Sequence, residues 1–214
     1  MQRIEVSHKI EMGMKTYPGL PEPRAEVLMD YDSSRYAGLS EFYIASLHCC
    51  GNTGTYVDAP IHRYRGAADL SQLSLDRLAH VPVVVVTALD KTEIGPEAFS
   101  GLHLQGKAVL VRTEWSRHWR TENYFNPNPH LTKDACLALL DAGISLVGID
   151  SVNIDSLADL SRPAHSTLLA AGIPICEHMT NLTSIPNEGG YLHAVPIAWV
   201  GGATFPVRAY VLAD

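Results

Sequence analysis

Three short, almost uninterrupted apolar runs constrain the fold of this 214-residue chain more than any other feature. The runs Val81–Thr87, Ala108–Arg112 and Ser145–Ile149 are rich in β-branched side chains. Such runs are typical of strands that are buried on both faces, as in parallel sheets covered by helices. They therefore predict the interior of an α/β domain.

The segments that follow the central runs favour helices. Thr132 and Gly143 fit the N-cap and the C′ residue of a helix, because alanines and leucines form an apolar stripe between them. A shorter helix is predicted over Ser166–Ala171, followed by Gly172 and a strand over Ile173–Cys176. Alternating helices and strands indicate a mixed α/β sheet.

Further strands are predicted toward the ends of the chain. They are Arg3–Val6, Phe42–His48, Leu192–Val200 and Pro206–Leu212, the last two joined through Gly201 and Gly202. No repeat and no linker divides the sequence, and its length suits one hydrophobic core. Residues 1–214 are therefore expected to form a single domain.

Charge and composition argue against several classes of protein. The 16 Lys and Arg against 23 Asp and Glu give a net charge of −7, so a nucleic-acid partner is not expected. The longest apolar run, Val81–Ala88, is far shorter than the roughly 18 residues of a membrane span, and the first residues lack the apolar core of a signal peptide. The four cysteines show no C-x-x-C spacing, so we expect reduced thiols and a cytoplasmic location.

Two pairs of polar residues are candidates for chemistry. Asp58 and His62 are four residues apart around Ala59-Pro60, and side chains at this spacing point the same way on an extended chain. His165 is expected at the start of a helix and Glu177 at the carboxyl end of the next strand, where ligands gather in open α/β sheets. Each signal is weak by itself, because the chain has ten histidines and an isolated one usually has a structural role.

A series of motifs extends over nearly the whole chain, with the sequence N-T-G-T-Y-V-D-A-P-I-H of residues 52–62 at its centre. The others are Val6–Glu11 with Tyr17-Pro18-Gly19, Leu110–Thr113 with Trp115, Val147–Ser151, His165 to Glu177, and Gly201-Gly202 with Pro206–Arg208. In this order they resemble the cyclase family, which includes bacterial kynurenine formamidase, isatin hydrolase and some polyketide cyclases. The resemblance implies a compact α/β domain with a mixed, partly barrel-like sheet flanked by helices, assembled as a homo-oligomer such as a dimer or tetramer.

The same resemblance implies a metal site. The family's central motif is H-x-G-T-H-x-D-A-P-x-H, and its hydrolases hold one or two divalent ions, commonly zinc or manganese. Four of the six ligand positions are retained here: Asp58, His62, His165 and Glu177. Asn52 and Tyr56 replace two histidines, and neither an amide oxygen nor a phenol with a pKa near ~10 is an equivalent ligand. The remaining two imidazoles and two carboxylates are able to hold one zinc or manganese ion.

Three functions are compatible with this pattern. The first is a metal-dependent hydrolase of a small amide, lactam or lactone, with His62, His165 or Glu177 moving the proton and Tyr56 donating to the oxyanion. The second is a cyclase or lyase without a metal that uses Tyr56 and the histidines as acid and base. The third is a non-catalytic binding protein with a degenerate site. The two replaced ligands argue against carrying kynurenine formamidase activity itself over to this chain.

Three more side chains are predicted to bind a small-molecule substrate. By resemblance Tyr17 and Trp115 belong to segments near the family's active site, and Asn52 occupies a lost ligand position. Asp150 and Asn153, in contrast, are expected to fix the loop that follows a buried strand. The apolar surroundings of the cysteines favour inert packing over a nucleophilic role.

Overall fold

A computed structural model describes residues 1–32 and 34–213. Over these residues the chain forms thirteen strands and two α-helices, with short 3₁₀ turns between them. The strands are β1 (Gln2–Glu5), β2 (Arg24–Asp30), β3 (Tyr43–His48), β4 (Tyr56–Asp58), β5 (Val81–Thr87), β6 (Glu93–Ile94), β7 (Ala108–Arg112), β8 (His130–Leu131), β9 (Leu146–Ile149), β10 (Ile175–Glu177), β11 (Glu188–His193), β12 (Thr204–Pro206) and β13 (Tyr210–Ala213). The helices are α1 (Lys133–Asp141) and α2 (Pro163–Ala170).

Nine strands form one mixed sheet in the order β1-β13-β11-β5-β7-β9-β10-β4-β12. The central strands β5, β7, β9 and β10 are parallel, and the outer pairs are antiparallel. The sheet curls into a half-barrel. The predicted α/β fold with a mixed, partly barrel-like sheet is therefore confirmed.

The sheet separates two apolar cores, and β5 shows how the sequence produces them. Val84 and Val86 belong to the core that α1 and α2 cover, whereas Val83 and Val85 belong to the core on the opposite face. Side chains alternate between the two faces of the sheet along a strand. A strand whose side chains are apolar on both faces is therefore buried on both faces. This arrangement places the carboxyl ends of β9 and β10 beside the start of α2.

The helix α1 and the strands β5 and β7 lie where the sequence predicts them. Thr132 is the N-cap of α1, since its hydroxyl accepts the backbone N–H of Ala135 at 3.2 Å, and Gly143 has a φ of +70° that favours glycine. The helix α2 begins at Pro163, three residues before the predicted start. Neither α-helix in the described part of the chain is long and apolar enough to cross a bilayer.

The predictions for the last third of the chain were partly wrong. Residues Glu188–His193 form β11, but residues 194–200 are not in a strand, and Pro206–Leu212 is divided between β12 and β13. The reason is topological: β11 pairs with β13, whereas β12 crosses to the far edge of the sheet and pairs with β4. One continuous strand over Pro206–Leu212 could not pair with both β4 and β11, because these two strands lie in different parts of the sheet.

Candidate active site

Strand pairing and the start of one helix bring the candidate residues together. The antiparallel pair β4 and β10 sets Tyr56 opposite Glu177 and Asp58 opposite Ile175. His165 is the third residue of α2, whose first turn lies over this end of the sheet. Residues more than a hundred positions apart in sequence therefore meet at one place.

His165 lies between the two buried carboxylates. Its Nε2 atom is 3.6 Å from Oε1 of Glu177 and 3.7 Å from Oδ2 of Asp58. One potential ligand atom from each of these three residues lies within 4.8 Å of the other two, and all three side chains are buried. Three of the four predicted metal ligands thus form a compact group.

The orientation of His165 is fixed by Asp155, which the sequence analysis did not identify. Oδ2 of Asp155 lies 2.6 Å from Nδ1 of His165. The same carboxylate accepts the backbone N–H groups of Ala164 and His165 at the start of α2, at 2.6 and 3.1 Å. Because Nδ1 is engaged, Nε2 is directed at Asp58 and Glu177. Asp155 lies in a loop ten residues before His165, and no sequence motif signals such a contact.

Asp58 provides the clearest test of whether a cation fits this group. Both of its carboxylate oxygens are buried, and neither has a hydrogen-bond partner. Nε2 of His165 at 3.7 Å and Nε2 of His62 at 4.0 Å face this carboxylate from beyond hydrogen-bond distance, so its buried charge is only partly compensated, which is unfavourable. A cation among Asp58, Glu177 and Nε2 of His165 would provide that compensation, so the residues present fit a divalent ion.

His62 lies at the edge of the group rather than within it. Its Nε2 atom is 4.0 Å from Oδ1 of Asp58, and its side chain is 32% exposed. The expectation of an extended chain between the two residues was wrong, because Pro60–His62 form a 3₁₀ turn in which the N–H of His62 donates to the carbonyl of Ala59. The turn, which Pro60 opens, brings the imidazole back toward Asp58.

Tyr56 and Asn52 occupy the positions of the two replaced histidines. The hydroxyl of Tyr56 donates to Oε2 of Glu177 at 2.6 Å. Burial, followed by the nearby charges of Glu177 and Asp58, raises the pKa of the Tyr56 phenol well above its ordinary value. Tyr56 is therefore a neutral donor and not an anionic ligand. Oδ1 of Asn52 accepts from the hydroxyl of Thr204 at 3.2 Å.

The buried charges at this site shift each other's titration. Burial raises the pKa of Glu177 to about 7, although the charge on His165 acts in the opposite direction. Burial alone would lower the pKa of His165, but Glu177, Asp155 and Asp58 together raise it to about 10. An imidazole drawn to the protonated state by three carboxylates marks a site that attracts positive charge.

His165 and Glu177 of this group line a cavity of about 370 Å³, whereas Asp58 is fully buried next to them and does not line it. Tyr17, Asn52, Tyr56, His62, His165 and Glu177 line it. The structure does not bring Trp115 to this cavity, because its indole N–H donates to the carbonyl of Tyr124 at 2.9 Å. Two arginines that the sequence analysis overlooked, Arg63 and Arg162, also line the cavity.

The residues that were expected to be structural have structural contacts. Asp150 accepts the backbone N–H groups of Thr113 and Glu114, both at 2.8 Å, and so fixes the loop after β7. Asn153 accepts the N–H of Asp155 at 3.0 Å in the next loop. Burial raises the pKa of the Cys136 thiol to about 12 and that of the Cys176 thiol further still, so both are unreactive.

Comparison with known proteins places this geometry in a family. The family model described as "Putative cyclase" matches residues 4–156, which is more than half of the chain. The chain belongs to the cyclase family. The resemblance that the motifs indicated is thereby confirmed.

Relatives match this cyclase-family chain along nearly its full length. Kynurenine formamidase of Salinibacter ruber is 32% identical over 215 residues, covering 100% of this chain and 98% of the relative. A solved structure described as a potential metal-dependent hydrolase with cyclase activity is 26% identical, with a TM-score of 0.81 and coverage of 98% of this chain and 96% of that one. Isatin hydrolase A from Labrenzia aggregata has a TM-score of 0.85 over 99% of this chain and 93% of its own, and at 22% identity it shows the shared fold.

Proposed function

We propose that this chain is a hydrolase of a small amide and that it works with one divalent cation held by Asp58, His165 and Glu177. The observation that carries the proposal is the buried carboxylate of Asp58, which has no hydrogen-bond partner and lies beside His165 and Glu177, two ligand-type side chains that line a cavity. The formamidase relatives and the metal-dependent hydrolase neighbour support the same chemistry. They do not favour the cyclase, lyase or binding-protein alternatives.

The donor set indicates which ions suit the site. Imidazole and carboxylate ligands are typical of zinc and manganese sites, and we propose one of these two metals. His62, the fourth predicted ligand, lies 4.0 Å from Asp58 at the edge of the group, and we leave it outside the ligand set. When bound, such an ion supplies Lewis-acid activation of a carbonyl oxygen and of a water molecule.

The side chains around the ion have separate tasks in this proposal. His165 is held by Asp155 and keeps Nε2 directed inward. His62 is partly exposed at the edge of the group, and we assign it the proton transfer. It takes a proton from the attacking water as the new carbon–oxygen bond forms, and returns it to the leaving nitrogen as the carbon–nitrogen bond breaks.

Tyr56 and Asn52 complete the polar wall. The neutral phenol of Tyr56 keeps Glu177 in place through its 2.6 Å hydrogen bond. That bond uses the only O–H of the phenol, so donation to a developing oxyanion requires the O–H to turn from Glu177 toward the cavity that Tyr56 lines. Asn52 and Tyr17 line the same cavity, and we propose that they contact the substrate. Trp115 lies outside the cavity of the single chain, so we assign it no role in this mechanism.

His165→Ala tests the function directly. The variant is expected to lose both the bound ion and hydrolysis of an N-formyl aromatic amine, measured by elemental analysis and by release of formate. The exposed His103→Ala is the matched control and keeps both. If the wild type holds no ion and His165→Ala nevertheless abolishes hydrolysis, acid–base catalysis without a metal is favoured and the proposal is contradicted.

We further propose a cytoplasmic homo-oligomer. The β2–β3 ribbon is almost wholly exposed and carries large apolar side chains, among them Val27, Leu28, Tyr43, Ile44 and Leu47. A two-stranded ribbon is at best marginally stable in water by itself, and exposed apolar patches mark interaction surfaces. We assign the ribbon to contact with a second copy of the chain. Light scattering should then give a dimer or tetramer for the wild type and a smaller species for Ile44→Lys, and a monomeric wild type would contradict this.

A further inference from the structure

We propose that Arg63 and Arg162 form an anion-binding subsite in the lining of the cavity, so that the amide substrate carries a carboxylate. The inference rests on the proposed hydrolase function and names the class of substrate that this site takes. It starts from the two guanidinium groups that line the same cavity as Glu177 and His165.

Arg162 is held in an unusual backbone conformation next to the cavity. Its φ of +51° lies in the left-handed region, which L-residues other than asparagine and aspartate rarely adopt. One Nη atom donates to the carbonyl of Ser156 at 2.6 Å, and the other donates to the hydroxyl of Tyr17 at 3.2 Å. Strained residues of this kind persist where the surrounding structure holds them, often at ligand sites.

Arg63 reaches the same segment of the chain from the other side. Its Nε donates to the hydroxyl of Ser166 at 3.1 Å, and Nη2 donates to the carbonyl of Ser161 at 3.4 Å. Ser161 directly precedes Arg162, so both guanidinium groups are anchored on the segment that leads into α2. Their positions relative to each other are therefore set by one short piece of backbone.

Neither guanidinium group forms a close ion pair, although Arg162 is near enough to Asp159 for its charge to help lower the pKa of that exposed carboxyl. Among residues 1–32 and 34–213, no carboxylate oxygen lies within 4.0 Å of a nitrogen atom of Arg63 or Arg162. The nearby carboxylate of Asp159 instead accepts the backbone N–H and the hydroxyl of Ser161, at 2.9 and 2.6 Å. A guanidinium group has five N–H donors, and each arginine uses only two of its five on neutral oxygens of the protein.

The lining of the cavity therefore combines three kinds of side chain. His165 and Glu177, next to the buried Asp58, suit a cation, whereas the two arginines add positive charge to the same lining. Tyr17 and Leu20 add apolar surface. Guanidinium groups recognise carboxylates with strong, charge-assisted hydrogen bonds. An amide with its carbonyl beside His165 and Glu177, a small apolar body and a carboxylate beside the arginines matches all three.

The experiment compares two substrates that differ only in this charge. 4-Formamidobenzoate carries a carboxylate across the ring from its amide, and its methyl ester does not. The wild type is expected to hydrolyse the anion with a kcat/KM at least tenfold higher. Arg162→Gln and Arg63→Gln should each raise KM for the anion about tenfold or more and leave KM for the ester unchanged. Arg65→Gln, an exposed arginine close in sequence that does not line the cavity, is the control and should change neither value.

A binding measurement separates failure of the subsite from failure of the proposed function. 4-Aminobenzoate, which has no amide to hydrolyse, should bind the wild type at least tenfold more tightly than methyl 4-aminobenzoate does, and this preference should disappear in Arg63→Gln. Equal binding of the two compounds, or KM changes of the same size for both substrates, would overturn the subsite. If neither formyl substrate is hydrolysed while 4-aminobenzoate keeps its arginine-dependent preference over its methyl ester, the subsite stands and the proposed function fails.

Discussion

Oδ2 of Asp155 lies 2.6 Å from Nδ1 of His165, and this contact determines which nitrogen of the imidazole faces the candidate metal site. Asp155 is fully buried and also accepts two backbone N–H groups at the start of α2. It therefore connects the position of the helix to the direction of the ligand. Such outer partners of metal-binding histidines raise the basicity of the ligand and fix its tautomer.

Asp155→Asn should weaken divalent-ion binding about 10- to 100-fold, because an amide no longer orients the imidazole as a carboxylate does. Isothermal titration calorimetry with Mn²⁺, at a temperature where both proteins are folded, measures the two affinities. Asp159→Asn, which changes an exposed carboxylate of the same loop, is the control and should bind as the wild type does. Unchanged affinity in Asp155→Asn would show that this contact does not tune the site.

Restoring the two replaced histidines should create a second ion site. In Asn52→His with Tyr56→His, imidazoles return to the positions opposite β10 and β12, and the family's full set of six ligands is present. Elemental analysis is expected to change from about one ion per chain to about two. Asn52→His alone should remain near one, because the phenol of Tyr56 stays neutral in its buried position. A double variant that still holds one ion would show that these positions do not form a metal site here.

Tyr56→Phe tests whether the phenol of Tyr56 acts as a hydrogen-bond donor or as a metal ligand. Because the phenol donates to Glu177 and stays neutral, its removal should leave the ion in place while lowering kcat about tenfold, the effect of one lost hydrogen bond. The matched control is Tyr64→Phe, which loses a 2.8 Å hydrogen bond to the carbonyl of Ser166 on the surface. Steady-state kinetics with metal content measured on the same samples tests this. A variant of Tyr56 that loses its ion would show that the phenol is needed for binding.

The sequence predicts the centre of this fold well because burial on both faces leaves a direct signal. The β-branched valines of β5 and the apolar residues of β7 favour central strands, and α1 has an N-cap at Thr132 and a stop at Gly143. The edges of the sheet leave no such signal. Thr204–Pro206 and Tyr210–Ala213 are adjacent in sequence, but pair with strands at opposite ends of the sheet, so local propensity cannot separate them.

The candidate site shows the same division. Asp58, His165 and Glu177 are signalled by motifs, and the structure brings them into one group. Asp155, Arg63 and Arg162 act through contacts that depend on the path of the loop before α2, and no periodicity or spacing encodes that path. The turn at Pro60–His62 also replaced the extended geometry that the Ala59-Pro60 pair suggested.

His8 should make the folded state sensitive to acid. It stacks on Trp119 with ring centroids 4.0 Å apart, and burial lowers its pKa from the ordinary 6.5 to about 4. As the pH falls below 6.5, the unfolded chain takes up a proton that the folded chain does not, so stability is lost between pH 6.5 and 4. From pH 7.5 to 5 the wild type should lose about 1 to 2 kcal/mol more stability than His8→Gln. Urea unfolding at the two pH values, with His103→Gln as control, measures the difference, and equal losses in all three proteins would contradict it.

The binding of a divalent cation by Asp58 is tested most directly by counting ions. The wild type and Asp58→Asn are equilibrated with Mn²⁺, freed of excess metal, confirmed to be folded by circular dichroism, and analysed for metal per chain. We expect about one ion per wild-type chain and almost none in Asp58→Asn, since the buried carboxylate that lacks a hydrogen-bond partner is the group the cation compensates. A wild type without metal, or a variant that holds as much as the wild type, would contradict the account.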